Sequence, residues 1–190
     1  MTALKIYGFA LSTYTKTALL VAAEAGVDVT LTPLEFKQPS HYSLHPYGKM
    51  PVLEHGEVRL FETLAIGTYL DRMFGGGKLQ PSDPVAQARA LQWVSAAIDY
   101  AYDDLVAELH QDEPSAEAVS RAAEQLKLLD AALGDSRYFA GDQLTLADLV
   151  LYPMVEFAKA KLTDKSLSSL PALERWRGAL SRRPSVRKAA

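Results

Sequence analysis

Several residues in this sequence have types and spacings that could do chemistry. In the stretch His45 to Leu53, HPYGKMPVL, Pro51 follows Met50 and directly precedes strand-forming residues. Cis peptide bonds are essentially confined to X–Pro, and about 5–6% of X–Pro bonds in folded proteins adopt the form. A cis bond at Met50–Pro51 would turn the chain and leave the Met50 N–H and C=O free to pair with an extended peptide. His41 and His45 stand four apart, a spacing that suits a metal on a helix face. Pro46 interrupts a helix there, and no cysteine or third ligand completes the set that catalytic zinc usually takes, so no metal site is expected. Ser12-Thr13 and Thr63 lie at the starts of helical patterns, where a hydroxyl commonly caps the helix. Lys37 and Lys49, taken singly, read as solvated surface lysines.

The elements that must carry these residues follow from periodicity. Leu4 to Phe9, LKIYGF, reads as a strand with Leu4 and Ile6 on one face. A helix from about Tyr14 to Ala25 sets Ala18, Val21, Ala22 and Ala25 on one side, and Gly26 suits its C-terminal cap. Val27, Val29 and Leu31 alternate with polar residues as a half-buried strand, which completes a βαβ signature. A looped segment with Pro39 and Pro46 leads to strands at Pro51–Glu54 and Val58–Phe61, joined at His55-Gly56. A helix from Thr63 to Met73 follows, with Ile66, Tyr69, Leu70 and Met73 inward. Residues 76–84 then read as a linker.

Beyond the linker the composition turns to helix formers. Val85 to Leu109 carries Leu91, Val94, Ile98, Ala101 and Leu105 at helical spacing, and Ala116 to Leu133 carries Val119, Ala123, Leu126 and Leu129. A third helix opens at Thr145 with Asp148 as capping-box partner and Leu144 with Leu149 as a hydrophobic staple; Pro153 is expected to kink it. A last helix holds Leu173, Trp176 and Leu180 on one face and stops near Pro184. The expected organisation is an α/β domain over 1–75, a linker over 76–84 and an all-helical domain over 85–190. Trp93, Trp176, Tyr100 and Tyr102 suit core or interface positions by their helical setting.

Composition narrows the function classes. At 48% hydrophobic and 23% charged residues the chain is ordinary for a soluble globular protein. A net charge of −3 gives no basic field for nucleic acid or an anionic membrane. There is no apolar run long enough to span a bilayer and no signal-peptide pattern. With no cysteine, disulfides, thiolate metal sites and a cysteine nucleophile are excluded. Cytoplasm is the default compartment.

GFALST after the first strand, HPYGKMPVL before the third, FET before the third helix and FAGDQLTLAD in the helical half together resemble glutathione transferases, over nearly the whole chain. The pattern is that of the serine-type class that includes the phi enzymes. The resemblance implies an N-terminal thioredoxin-like βαβ-ββα domain with Pro51 as its cis-proline, followed by a helical bundle. It implies that the Ser12 hydroxyl donates to the sulfur of bound glutathione. A free thiol titrates near 8.5, and lowering it by about two units takes about 2.7 kcal/mol. A hydrogen bond to the thiolate offers about 1.5–3 kcal/mol and the helix start about 0.3–1 kcal/mol, so no general base is required. Tyr7 and Tyr14 are rival donors, set in the strand and the helix respectively.

By the same resemblance Thr63 caps the third helix and receives the γ-glutamyl carboxylate, since helix N-termini favour anions. Glu62 pairs with the γ-glutamyl ammonium. Lys37 and Lys49 meet the glycyl carboxylate, and Met50 pairs with the cysteinyl backbone as a short strand addition. Phe36 stands where the family often has histidine, and His45 where asparagine is more usual. Leu11 and Tyr100 are expected in a second-substrate pocket between the first loop and the long helix after the linker. Tyr47 matches an aromatic residue that inserts into the neighbouring subunit, which implies a two-fold homodimer.

The function expected is a detoxifying transferase that takes glutathione as co-substrate and no other cofactor. Its thiolate would attack a small hydrophobic electrophile. The chain stops soon after Pro184, from which an open and tolerant site is expected. Glutathione-dependent peroxide reduction and a non-catalytic glutathione-binding or assembly module are the alternatives.

Overall fold

The computed structural model describes residues 3–162 and 170–189, which fall into two compact units: Met1–Lys78 with Pro184–Ala190, and Leu79–Arg183. The division therefore falls inside the expected linker, and the segment from Pro184 onward goes with the first unit rather than with the helical one.

In the first unit, β1 (Leu4–Tyr7), β2 (Thr30–Thr32), β3 (Val52–His55) and β4 (Val58–Phe61) form one sheet in the order β2-β1-β3-β4. β1 is parallel to β2 and antiparallel to β3, and β3 is antiparallel to β4. Val52 and Leu53 are both fully buried. Successive strand residues point to opposite faces, so β3 is covered on both sides. α1 (Thr13–Glu24) packs against α3 (Thr63–Leu70), and α8 (Pro184–Ala189) packs against α1. Gly26, at φ +74°, ends α1: its N–H reaches the Ala23 C=O and the Val27 N–H reaches the Ala22 C=O, the paired bonds of a Schellman cap.

Several expectations need correction. β2 spans only Thr30–Thr32, so Val27 and Val29 precede it. The looped segment contains α2 (Pro39–Leu44), with Pro39 at its first position, where the missing N–H costs nothing. The hairpin turn is Gly56-Glu57, since His55 and Val58 form the last strand pair. α3 gives way after Leu70 to a π-type turn over Asp71–Gly75, and Met73 is exposed.

The second unit is helical: α4 (Pro84–Ala96), α5 (Ala116–Leu133), α6 (Leu146–Lys161) and α7 (Pro171–Ser181). π-type turns over Ala97–Ala101 and Asp103–Ala107 follow α4. Along this stretch Val94, Ala101 and Leu105 are buried as expected, while Leu91 and Ile98 are exposed. In α5 the inward row is Ala118, Ala122, Leu126, Leu129 and Leu133, and Val119 faces out. α6 is buried all round from Leu146 to Val155, as a central core helix must be. It continues through Pro153 to Lys161.

Asp148 is the polar centre of this unit. Its side chain completes the expected capping box with Thr145, whose N–H and hydroxyl donate to Oδ2 at 2.9 and 3.0 Å. Oδ1 accepts the Phe139 N–H at 3.1 Å and the Trp176 Nε1–H at 2.9 Å. Burial pushes the carboxyl pKa up and the four donors pull against that shift.

Candidate functional site

The strand register gathers the candidate residues at one end of the sheet. Tyr7 lies opposite both Thr32 and Val52, and Val52 lies opposite Phe61. The row Thr32–Tyr7–Val52–Phe61 thus crosses all four strands. β1, β2 and β4 end at it and β3 begins at it. The loops that bear Ser12, Lys37, Met50-Pro51 and Glu62-Thr63 all start from that row. Four strands at about 4.8 Å spacing make it about 14 Å wide, the reach of an extended peptide of about four residues.

Ser12 is the N-cap of α1: its Oγ accepts the Thr15 N–H at 3.3 Å, and its own N–H donates to the Phe9 C=O at 3.0 Å. Capping uses the oxygen as acceptor and leaves the hydroxyl proton without an acceptor among the described residues. The cap role and a donor role are therefore compatible. Beneath this loop Thr15 is fully buried and its Oγ1 has no hydrogen-bond partner. A Cβ on Gly8 would run into that hydroxyl, so the residue after β1 has to be glycine for α1 to approach. Tyr7, the rival donor in β1, turns its hydroxyl toward Glu54 at 3.5 Å.

The lysine loops are tied together through His41, which is buried in α2. Its Nδ1 accepts the Lys37 N–H at 3.0 Å and its Nε2 lies 2.8 Å from the Lys49 C=O. Lys37 has φ +59°, a conformation uncommon for a residue with a Cβ. An aromatic chain joins this loop to the first one: Phe9 and Phe36 ring centroids are 6.2 Å apart, and Phe36 and His41 5.4 Å apart. Phe36 also lies under the Lys37 ammonium, 5.4 Å from ring centroid to Nζ.

The Met50–Pro51 bond is cis. The β1–β3 register ends at Val52, so Met50 stands outside the ladder at the strand entry. His45 is buried, its Nδ1 accepts the Tyr47 N–H at 3.2 Å, and its ring packs 4.8 Å from that of Phe61. Burial lowers its pKa, the Glu62 carboxylate opposes this, and His41 and Lys49 add to the lowering. Glu62 at φ +70° is the N-cap of α3, with no side-chain bond to the helix. Thr63 is the first helical residue, not the cap as expected. Its buried position still sets it at the helix start, where the N–H groups lack intrahelical partners.

Two family models match the chain: "Glutathione S-transferase, N-terminal domain" over residues 2–72 and "Glutathione S-transferase, C-terminal domain" over residues 90–184. The chain belongs to the glutathione S-transferase family. Among its relatives, glutathione S-transferase 4 of Zea mays is 33% identical, with 99% of this chain and 92% of that protein covered. The crystal structure of poplar glutathione transferase F1 has a TM-score of 0.85 at 27% identity, covering 100% of this chain and 97% of that one. A theta-class glutathione S-transferase from Xanthomonas axonopodis pv. citri, solved with glutathione bound, matches with the same scores and coverage.

Against the glutathione S-transferase pattern, the remaining expected residues are disposed as follows. Leu11, next to Ser12, is 82% exposed, and Tyr100 of the second unit is 68% exposed. Tyr47 is 72% exposed, so the alternative of a tyrosine buried in its own chain does not hold. Among the described residues no group of three or more His, Asp or Glu side chains could hold a metal, and no helix is long and apolar enough to cross a membrane. Sequence reasoning missed His41 as a link between the lysine loops, and missed the Gly8–Thr15 contact. A proline at a helix start with histidine two residues on was the available signal for the first.

Proposed function

We propose that this glutathione transferase binds glutathione in its first unit, along the row at the end of the sheet, and activates it as a thiolate with the Ser12 hydroxyl. The observation that carries the reading is the strand register, from which the four loops with Ser12, Lys37, Met50-Pro51 and Glu62-Thr63 all leave one end. Met50 would pair with the cysteinyl backbone from outside the ladder, with Pro51 shaping that entry. Thr63 and the first N–H groups of α3 suit the γ-glutamyl carboxylate, and Glu62 suits the ammonium. Lys37 and Lys49 suit the glycyl carboxylate.

Ser12 supports the thiolate by charge-assisted hydrogen bonding. Its oxygen already accepts the Thr15 N–H, which strengthens it as a donor. The thiolate then attacks a small hydrophobic electrophile, whose carbon forms the new bond to sulfur as the leaving group departs with its electron pair. Leu11 beside Ser12 is the side chain of this unit proposed to meet that electrophile. The exposed Tyr47 supports a homodimer contact, and the cysteine-free chain suits the cytoplasm and a detoxifying role.

The test is retention on immobilised glutathione together with conjugation of a chlorodinitrobenzene. Retention with turnover that the Ser12→Ala variant loses supports the assignment. Retention without turnover on a broad electrophile panel makes the protein a binding module, and turnover unchanged in Ser12→Ala removes Ser12 from the mechanism.

A further inference from the structure

We propose that His41 is a positioning residue for recognition of the glycyl carboxylate: one imidazole fixes the two backbone segments from which Lys37 and Lys49 project. This rests on the glutathione site proposed above and adds to it a residue that need not touch the ligand. His41 is 1% exposed. Its two nitrogens are bonded to the main chain of the two lysines themselves, at Lys37 N–H and Lys49 C=O. Both bonds are made together only by the neutral tautomer that carries its proton on Nε2: Nδ1 must accept from an N–H, and Nε2 must donate to a carbonyl.

Both lysines are exposed, and an exposed, flexible ammonium is aimed by its own backbone. Lys37 adopts a positive φ, which is sparsely populated without a supporting contact. The bond from its N–H to His41 is that contact. The flanking rings of Phe36 and Tyr42, at 5.4 and 6.1 Å, hold the imidazole plane.

Calorimetric titration with glutathione and with γ-glutamylcysteine, which lacks the glycine, tests the proposal. The wild type is expected to bind glutathione at least about tenfold more tightly than γ-glutamylcysteine. H41F keeps the ring packing and loses both bonds. It is expected to weaken glutathione by about tenfold while γ-glutamylcysteine stays within about twofold, so that the preference collapses. H41N offers an acceptor where Nδ1 stands, and H41Q a donor where Nε2 stands; each should restore part of the preference. An H41F variant that retains the wild-type preference, or loses both peptides in parallel as a merely structural lesion would, overturns the role. Should H41F not fold, an unchanged preference in both H41N and H41Q overturns it equally. A wild type with no preference removes the lysine reading and this proposal together, and that failure shows before any substitution is made.

Discussion

Ser12 takes the Thr15 N–H on its oxygen and keeps its proton to give, so an alanine there removes a helix cap and the proposed thiolate donor at once. Glycine separates the two, because it caps nearly as well as serine but donates nothing. Ser12→Gly should therefore unfold within a few tenths of a kcal/mol of wild type, while turnover falls by about a hundredfold, the usual cost of one preorganised donor. Denaturant titration and steady-state rates check the two halves. Beneath it, Thr15 buries a hydroxyl with no partner. Thr15→Val removes that hydroxyl at constant shape and should leave stability equal or raise it by about 1 kcal/mol. Gly8→Ala should destabilise by about 1–3 kcal/mol, and Gly8→Ala with Thr15→Ala should recover most of that loss, a coupling read from a double-mutant cycle. At this scale residue types were legible and contacts were not. Ser12 could be read as a cap because it directly precedes a helical pattern. Nothing in the letters G and T, seven residues apart, says that the second hydroxyl fills the first residue's missing side chain.

The elements were legible wherever apolar spacing dominates, as in β1, α1, α5 and α7. They were not where a proline was read only as a breaker. Pro39 starts α2 rather than preventing it, and with α2 unseen His41 and His45 looked like a loop pair instead of two buried imidazoles, one inside a short helix and the other its C-cap. The depressed His45 pKa gives this element a pH response. A histidine whose folded pKa lies below the ordinary value of about 6.5 is neutral in the fold while the unfolded chain takes up a proton. Its neutral packing against Phe61 is thus fully stabilising above that value. Stability is lost as pH falls from about 6.5 toward the lowered folded value. Melting temperatures followed across that window should fall for the wild type and fall less for His45→Asn, after correction for the general acid response of the carboxylates. Equal slopes would mean that His45 does not carry the effect.

For the whole molecule the sequence showed a boundary but not its completion. The glycine run marked the crossing from one unit to the next, while the return of Pro184–Ala190 to the first unit left no compositional trace. Asp148 was legible as a capping partner through its three-residue spacing from Thr145. Its bonds to Phe139 and Trp176 join distant segments and no local spacing encodes them. Asp148→Ala would leave three buried N–H groups unpaired, and the second unit should lose about 3 kcal/mol or more, measurable by denaturant unfolding. Tyr47, exposed on its own chain, gives the proposed homodimer a test at the level of assembly: the wild type should sediment as a dimer and Tyr47→Ala should shift toward monomer, whereas a monomeric wild type removes the dimer and an unchanged mass in the variant removes the Tyr47 contact. The packing of α8 on α1, with Ser185 bonded to Glu24 and Lys188 paired with Asp28 just beyond α1, also bears on how the chain is made. A ribosome that has just released β4 and α3 must translate about a hundred further residues before α1 receives that helix, about 5–20 s at usual synthesis rates. For that interval the surface of α1 stands uncovered on the nascent chain, and the helical unit can mature first although it is encoded second.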